Sequence, residues 1–168
     1  MFLIKNKGYS LVETLVALAI ISMLTLAMAS FLSVILASEK QNRAVAEVEA
    51  QANYVLYQLS QEIRNANRIV TPDVRNISSN LHVTSSTGVN IPFKVELING
   101  VVTSTKGSAA MTTITSKNVK VTNLSFQNLT ASSTKGSVRI GLTVSYANPY
   151  GRPEFDFAST YYSTVTLR

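Results

Sequence analysis

Cysteine and tryptophan are missing from this chain of 168 residues, and histidine occurs once, as His82. Without cysteine there is no disulfide scaffold, no thiolate zinc site and no iron–sulfur cluster. A single histidine makes a His-based metal site or a Ser-His-Asp triad a poor expectation, and His82 reads as a structural surface residue. Charge is scarce as well: Asp, Glu, Lys and Arg make up 14% of the residues, well under the ~25% of an ordinary soluble protein. Apolar residues stand at an ordinary 46%. That pairing argues against a disordered chain, which is charge-rich and apolar-poor, and also against a surface built for cytosolic solubility. The length fits one domain or two small ones.

The apolar residues are unevenly spread. Residues 14–38, TLVALAIISMLTLAMASFLSVILAS, carry no charge over 25 positions. At ~1.5 Å per residue such a helix reaches ~37 Å, enough to cross a ~30 Å hydrocarbon core with some tilt. Lys5 and Lys7 precede it, and the positive-inside rule would hold that short tail in the cytoplasm, with the bulk of the chain from Glu39 onward outside. A buried core helix of a soluble domain is disfavoured by the length of the uncharged run. A secretory signal peptide is the nearer competitor, with Ala27-Met28-Ala29 as a weak cleavage site, but its apolar centre spans only ~7–15 residues. The order of features also differs from a signal peptide: Gly8 stands before the apolar run and the acid Glu13 within its first turns. An acid in a membrane segment is a functional candidate by default and needs a partner.

The segment KGYSLVETLVALAIISML resembles the N-terminus of type IV prepilins and of the pseudopilins of type II secretion. Their pattern is a short basic leader ending in glycine, commonly a phenylalanine, an acid at the fifth mature position, and an apolar run. Here the leader would be residues 1–8, the mature chain would begin at Tyr9, and Glu13 would be its fifth residue. Two positions depart from the pattern: Tyr9 stands where phenylalanine is usual, and Ser30 where many type IV pilins have a helix-bending proline, which leaves the helix more continuous or moves any melting elsewhere. The resemblance implies that Gly8 and Tyr9 flank the bond cut by a prepilin peptidase and that the new amino terminus at Tyr9 is methylated. It further implies that Glu13 pairs with the amino terminus of a neighbouring subunit during assembly. Physics supports that pairing, because a carboxylate and an ammonium attract strongly in low dielectric and each is costly alone. A protonated, idle acid near the interface is the alternative for Glu13.

From Glu39 the pattern turns amphipathic. Val45, Val48, Ala52, Val55, Leu59, Ile63, Ala66 and Ile69 recur at steps of three and four, which is one face of a helix. No glycine or proline lies between Tyr9 and Thr71, so one helix is expected from about Ser10 to about Ile69, ended by the Thr71-Pro72-Asp73 turn signal. Residues 9–38 would be its transmembrane or filament-core half, and residues 39–70 its amphipathic half. Such a helix matches the long spine helix of pilins. The stretch YQLSQEIRNANRI is also similar, more weakly than the leader, to the helix end of J-type minor pilins of type II secretion.

Residues 71–168 are rich in serine and threonine, a composition shared with mucin-like stalks. Alternating β-branched residues point instead to strands at 91–97, 101–105, 111–115, 119–126, 138–146 and 161–167. Asn99-Gly100 is a two-residue hairpin signal, Lys106-Gly107 and Lys135-Gly136 mark turns, and residues 148–153 form a loop. The expected fold class is therefore α+β and type IV pilin-like: one long N-terminal helix, transmembrane in its first half, packed on a C-terminal antiparallel β-sheet. Fewer than ~100 residues make a small core, so the helix face is needed to complete it.

No catalytic constellation is visible and no cofactor is expected. Glu154 and Asp156 share a face if GRPEFDF is a strand. Two carboxylates are too few for calcium, which takes ~6–8 oxygens, and a solvated strand face is the better reading. The sequons at Asn76, Asn123 and Asn128 arise readily by chance in such a composition. The net charge of +6 is scattered without an aromatic platform, which disfavours nucleic acid as a partner. The first functional class is a structural subunit, a minor pilin or pseudopilin, whose partners are the peptidase, the other subunits, a membrane assembly platform and the bilayer. The second is an unprocessed single-pass protein whose β domain is an extracellular binding module. It leaves the Gly8 to Glu13 spacing unexplained. An exported enzyme is a weaker third class.

Overall fold

The computed structural model describes residues 10–85, 91–131 and 136–168. Among the described residues one α-helix, α1 (Leu11–Arg64), leads into nine strands: β1 (Ala66–Thr71), β2 (Ile77–Ser78), β3 (Leu81–Ser85), β4 (Ile91–Ile98), β5 (Val101–Lys106), β6 (Thr112–Thr113), β7 (Val119–Asn128), β8 (Ser137–Tyr146) and β9 (Ala158–Thr166). The architecture is α+β and type IV pilin-like, a long apolar N-terminal helix with its later turns packed against antiparallel sheets. The chain divides into two compact units, Met1–Lys40 and Gln41–Arg168.

In the second unit α1 buries Ala44, Val48, Ala52, Val55, Leu59 and Ile63. These steps of three and four keep one face turned to the core. Val45, expected on that face, is only half-buried, and Ala44 takes its place. Across Ser30 the helix continues without a break, the first of the two outcomes that a missing proline allows.

The helix expected to run to Ile69 stops at Arg64, and Ala66–Thr71 is strand β1. The last helical turn closes with Asn65 N–H donating to Gln61 O at 3.1 Å. From Ala66 the chain pairs with β3 instead, in a ladder with irregularities between Ala66 and Arg68 and between Ile69 and Thr71. In a regular strand Ala66 and Ile69 would face opposite sides. The first irregularity shifts that parity, so Ala66 is buried and Ile69 packs against the same core. A bulged strand has here the three-residue spacing of a helix.

The sheet is two sheets. One is ordered β1-β3-β4-β5-β6 and the other β2-β7-β8-β9. The reason lies at the outer edge of β5. Ile114 N–H donates to Val102 O at 2.9 Å, and Val102 N–H donates to the Thr115 hydroxyl at 3.2 Å. The segment after β6 therefore uses the groups that β7 would need, and the two sheets touch where Val121 N–H donates to Gly100 O at 2.8 Å. Apolar residues of both sheets and of the helix stripe form one core, with Phe126 its largest fully buried side chain. Asn99-Gly100 makes the expected hairpin turn, with φ of 52° and 80°, the left-handed pair that a two-residue loop requires. A Cβ at Gly100 would lie 2.7 Å from Lys120 Cγ, so glycine is needed for space as well as for φ.

Polar ties bind the solvent side of α1 to the first sheet's loops. The Glu47 carboxylate accepts from Ser116 Oγ at 3.2 Å and Asn118 Nδ2 at 3.4 Å, while Gln51 Oε1 accepts from Ser116 N–H at 3.2 Å. Further along, Lys106 Nζ lies 3.0 Å from Glu62 Oε1.

Candidate functional site

The candidate residues lie at the start of the chain. Gly8 and Tyr9 fall outside the described residues. Glu13 is described: it stands in the first turn of α1 and is exposed. Thr14 N–H donates to Ser10 O at 3.1 Å, the first bond of the helix. At that end the peptide dipoles present positive charge, which favours a carboxylate by ~0.3–1 kcal/mol at an exposed position. Glu13 is the only charged residue between Leu11 and Ser38.

Every described residue from Ser10 through Lys40 is exposed, the apolar ones included. Leu15, Leu18, Ile20, Met23, Leu26 and Phe31 point to no core of this chain. By length and composition this part of α1 can cross a membrane. Four of its hydroxyls are satisfied internally, a feature that sequence reading did not single out. Thr14 Oγ1 donates to Leu11 O, Ser22 Oγ to Ala19 O, and Thr25 Oγ1 to Ser22 O, each at 2.8 Å, and Ser33 Oγ donates to Ser30 O at 2.7 Å. Each hydroxyl reaches a carbonyl three residues back, so none of the four needs water. Any serine or threonine on a helix can do this, so their presence in the apolar run was the available signal.

The remaining candidates are not brought together. Glu154 belongs to a 3-10 turn, Pro153–Phe155, with Asp156 just after it, so the shared strand face expected for that pair does not exist. Among the described residues no three acidic or histidine side chains cluster as a metal site would require. His82 is not a free surface residue: it sits half-buried on β3, and its Nε2 is buried without a hydrogen-bond partner among the described residues. Asn128 is buried, and its Nδ2 donates to Pro72 O at 2.8 Å, so that sequon is engaged in the fold.

A helix with an exposed apolar start and a later stripe buried under antiparallel sheets defines the class as pilin-like. The family model for the prokaryotic N-terminal methylation motif matches residues 3–29. That motif is characteristic of type IV prepilin-like proteins, a structural family, and indicates a pilin-like chain processed by a prepilin peptidase. With the apolar helix it points to membrane anchoring and incorporation into a pilus. No curated protein and no solved structure matches the chain.

Proposed function

We propose that the chain is a minor pilin or pseudopilin: a structural subunit of a type IV pilus or a type II secretion-type filament. In this reading residues 1–8 are the leader, residues 9–38 the membrane and filament-core segment, residues 39–70 the amphipathic segment and residues 71–168 the extracytoplasmic domain. Lys5 and Lys7 keep the leader on the cytoplasmic side. The peptidase cuts between Gly8 and Tyr9 and methylates Tyr9. The observation that carries the reading is an apolar helix start with no core of its own, bearing one acid at the matched motif.

Before assembly the bilayer covers that surface, and in the filament the same region of other subunits does. Glu13 then supplies register. A neighbour's terminal ammonium and this carboxylate are each strongly penalised alone in an apolar setting, and only one axial stagger brings them together. The membrane assembly platform is the further partner of this reading.

Intact-mass measurement on chain made with its own peptidase is expected to find Tyr9, methylated, as the first residue. Gly8→Leu is expected to block cutting and leave insertion intact. A first residue just after Ala29 would make the segment an ordinary signal peptide, and an uncut chain would make it a plain single-pass anchor. Glu13→Val should be cut and inserted normally. Its crosslinking to neighbouring subunits should fall about tenfold, the change that ~1.4 kcal/mol of lost pairing produces. Equal crosslinking yields would remove the pairing.

A further inference from the structure

Sheet edges expose unpaired backbone groups, and folded proteins usually blunt them with short strands, charge, proline or bulges. Among the described residues three of the four sheet edges are blunted. β2 and β6 have two residues each, and β1 carries Arg68 and two register irregularities. The part of β7 that β2 leaves uncovered is interrupted by a bulge between Val121 and Asn123, and Val121 N–H is taken by Gly100. The fourth edge differs. β9, ASTYYSTVT, runs nine residues with no charge, no proline and no break in its register with β8. Among the described residues no strand pairs with its outer side.

The ladder shows which backbone groups are free. Tyr146 N–H donates to Phe157 O at 3.0 Å, and Leu167 N–H donates to Gly136 O at 2.8 Å, both in the register that joins Ser145 to Ala158 and Ser137 to Thr166. Bonded pairs alternate along an antiparallel ladder. Ser159, Tyr161, Ser163 and Val165 therefore bond to β8, and Ala158, Thr160, Tyr162, Thr164 and Thr166 direct their N–H and C=O groups outward.

The side chains on the solvent face leave that edge uncovered. The Thr160 hydroxyl lies 3.0 Å from that of Thr143, and the Thr166 hydroxyl 2.9 Å from that of Ser137, both on β8. Tyr162 lies opposite Gly141, where a Cβ would approach its ring to 3.2 Å, and the Arg139 guanidinium stacks 4.8 Å from the ring centre. All three side chains lean inward over β8. Grooves of about 540 and 410 Å³ follow the edge between β9 and α1, and Gln61 and Arg64 line both. Among the described residues no carboxylate side chain lines either groove, Arg168 lines the larger one beside Arg64, and Arg139 adds a third cation beside Tyr162.

We propose that the outer edge of β9 is a strand-addition site that binds an extended segment of another polypeptide bearing acidic residues where it passes Tyr162 to Thr166. Backbone pairing with the five outward-facing residues supplies the binding, and Arg64 and Arg139 select the charge. A second copy of this chain is the poorer occupant, because edge-to-edge pairing would bring the same cations together without a carboxylate between them.

The test uses full-length protein in detergent micelles and a labelled peptide of about ten alternating threonine and valine residues, flanked by glutamates. The glutamate-flanked peptide is expected to bind and to slow amide exchange about tenfold or more at Thr160, Tyr162 and Thr164, with Tyr161 and Ser163 little changed. A lysine-flanked peptide should bind several-fold more weakly at low salt. A glutamate-flanked peptide methylated on alternate backbone nitrogens should lose binding, as should Thr164→Pro, which removes an outward N–H and leaves the β8 ladder its bonds. The methylated-peptide comparison is made on the unaltered chain, so it decides the matter even if Thr164→Pro fails to fold. Absence of binding, equal binding of the methylated peptide, or equal binding of the lysine-flanked peptide overturns the proposal. So does protection of the same amides by raising protein concentration alone, which would make the occupant a second copy.

Discussion

The two stretches of α1 share one backbone geometry and opposite surroundings. Met23, in the first, is 76% exposed, and Leu59, in the second, is 0% exposed. The first stretch is apolar all round, while in the second the buried residues form a single face and the rest is mostly charged and amide side chains, with Tyr54 and Tyr57 exposed among them. A helix that is apolar all round must be covered by something other than its own chain's core, and one with a single stripe needs only a sheet on one side. The difference teaches that hydrophobic content alone does not say what a helix packs against. The angular distribution of the apolar residues does.

The strongest way to break that comparison is one substitution in each stretch. Leu59→Ala is expected to cost ~2–5 kcal/mol in denaturant unfolding of the β-containing unit in detergent, because it removes a fully buried side chain. Leu24→Ala in the first stretch should change the same measurement by less than ~0.5 kcal/mol. Similar values at the two positions would erase the distinction, and a small value at Leu59 would turn the stripe outward. A smaller effect sharpens the boundary. Glu47 stands just past Ala44, the first buried residue of the helix, and holds Ser116 and Asn118. Glu47→Ala should cost ~1 kcal/mol and speed amide exchange at Ser116 and Asn118, with exchange at Ser22 and Thr25 unaltered. The smallest effect is expected at Lys106, whose side chain is 52% exposed where it meets Glu62. Lys106→Ala should cost between ~0 and ~1 kcal/mol, and the cost should shrink as salt is added.

Much of this contrast was legible in the residues themselves. The uncharged run and the stripe from Val48 to Ile63 rest on local patterns that tertiary structure did not override. The hairpin at Asn99-Gly100 was legible because few residue pairs accept φ above zero twice in succession. The end of the helix was not. Ala66 and Ile69 continued the helical period only because a bulge restored their common face, and a bulge depends on the partner strand β3. β2 and β3 were also missed: one is two residues long, and the other, LHVTS, is too short to show a strong alternation. The split into two sheets depends on contacts such as Thr115 Oγ1 with Val102 N–H, which no local pattern announces. The open edge of β9 has the same origin, since strand order decides which strand is left without a neighbour.

The shared core also has a consequence in time. The helix stripe from Ala44 to Ile63 leaves the ribosome first, but Val165 and Leu167, which belong to the same core, come about a hundred residues later. At ~5–20 residues per second, that interval is on the order of 5–20 s. During it the stripe has no finished sheet to cover it, and the nascent chain carries two apolar surfaces where the completed protein keeps one. Folding of the second unit therefore waits on the synthesis of β9, and a ribosome stalled before β9 would hold an accessible substrate for proteases and chaperones.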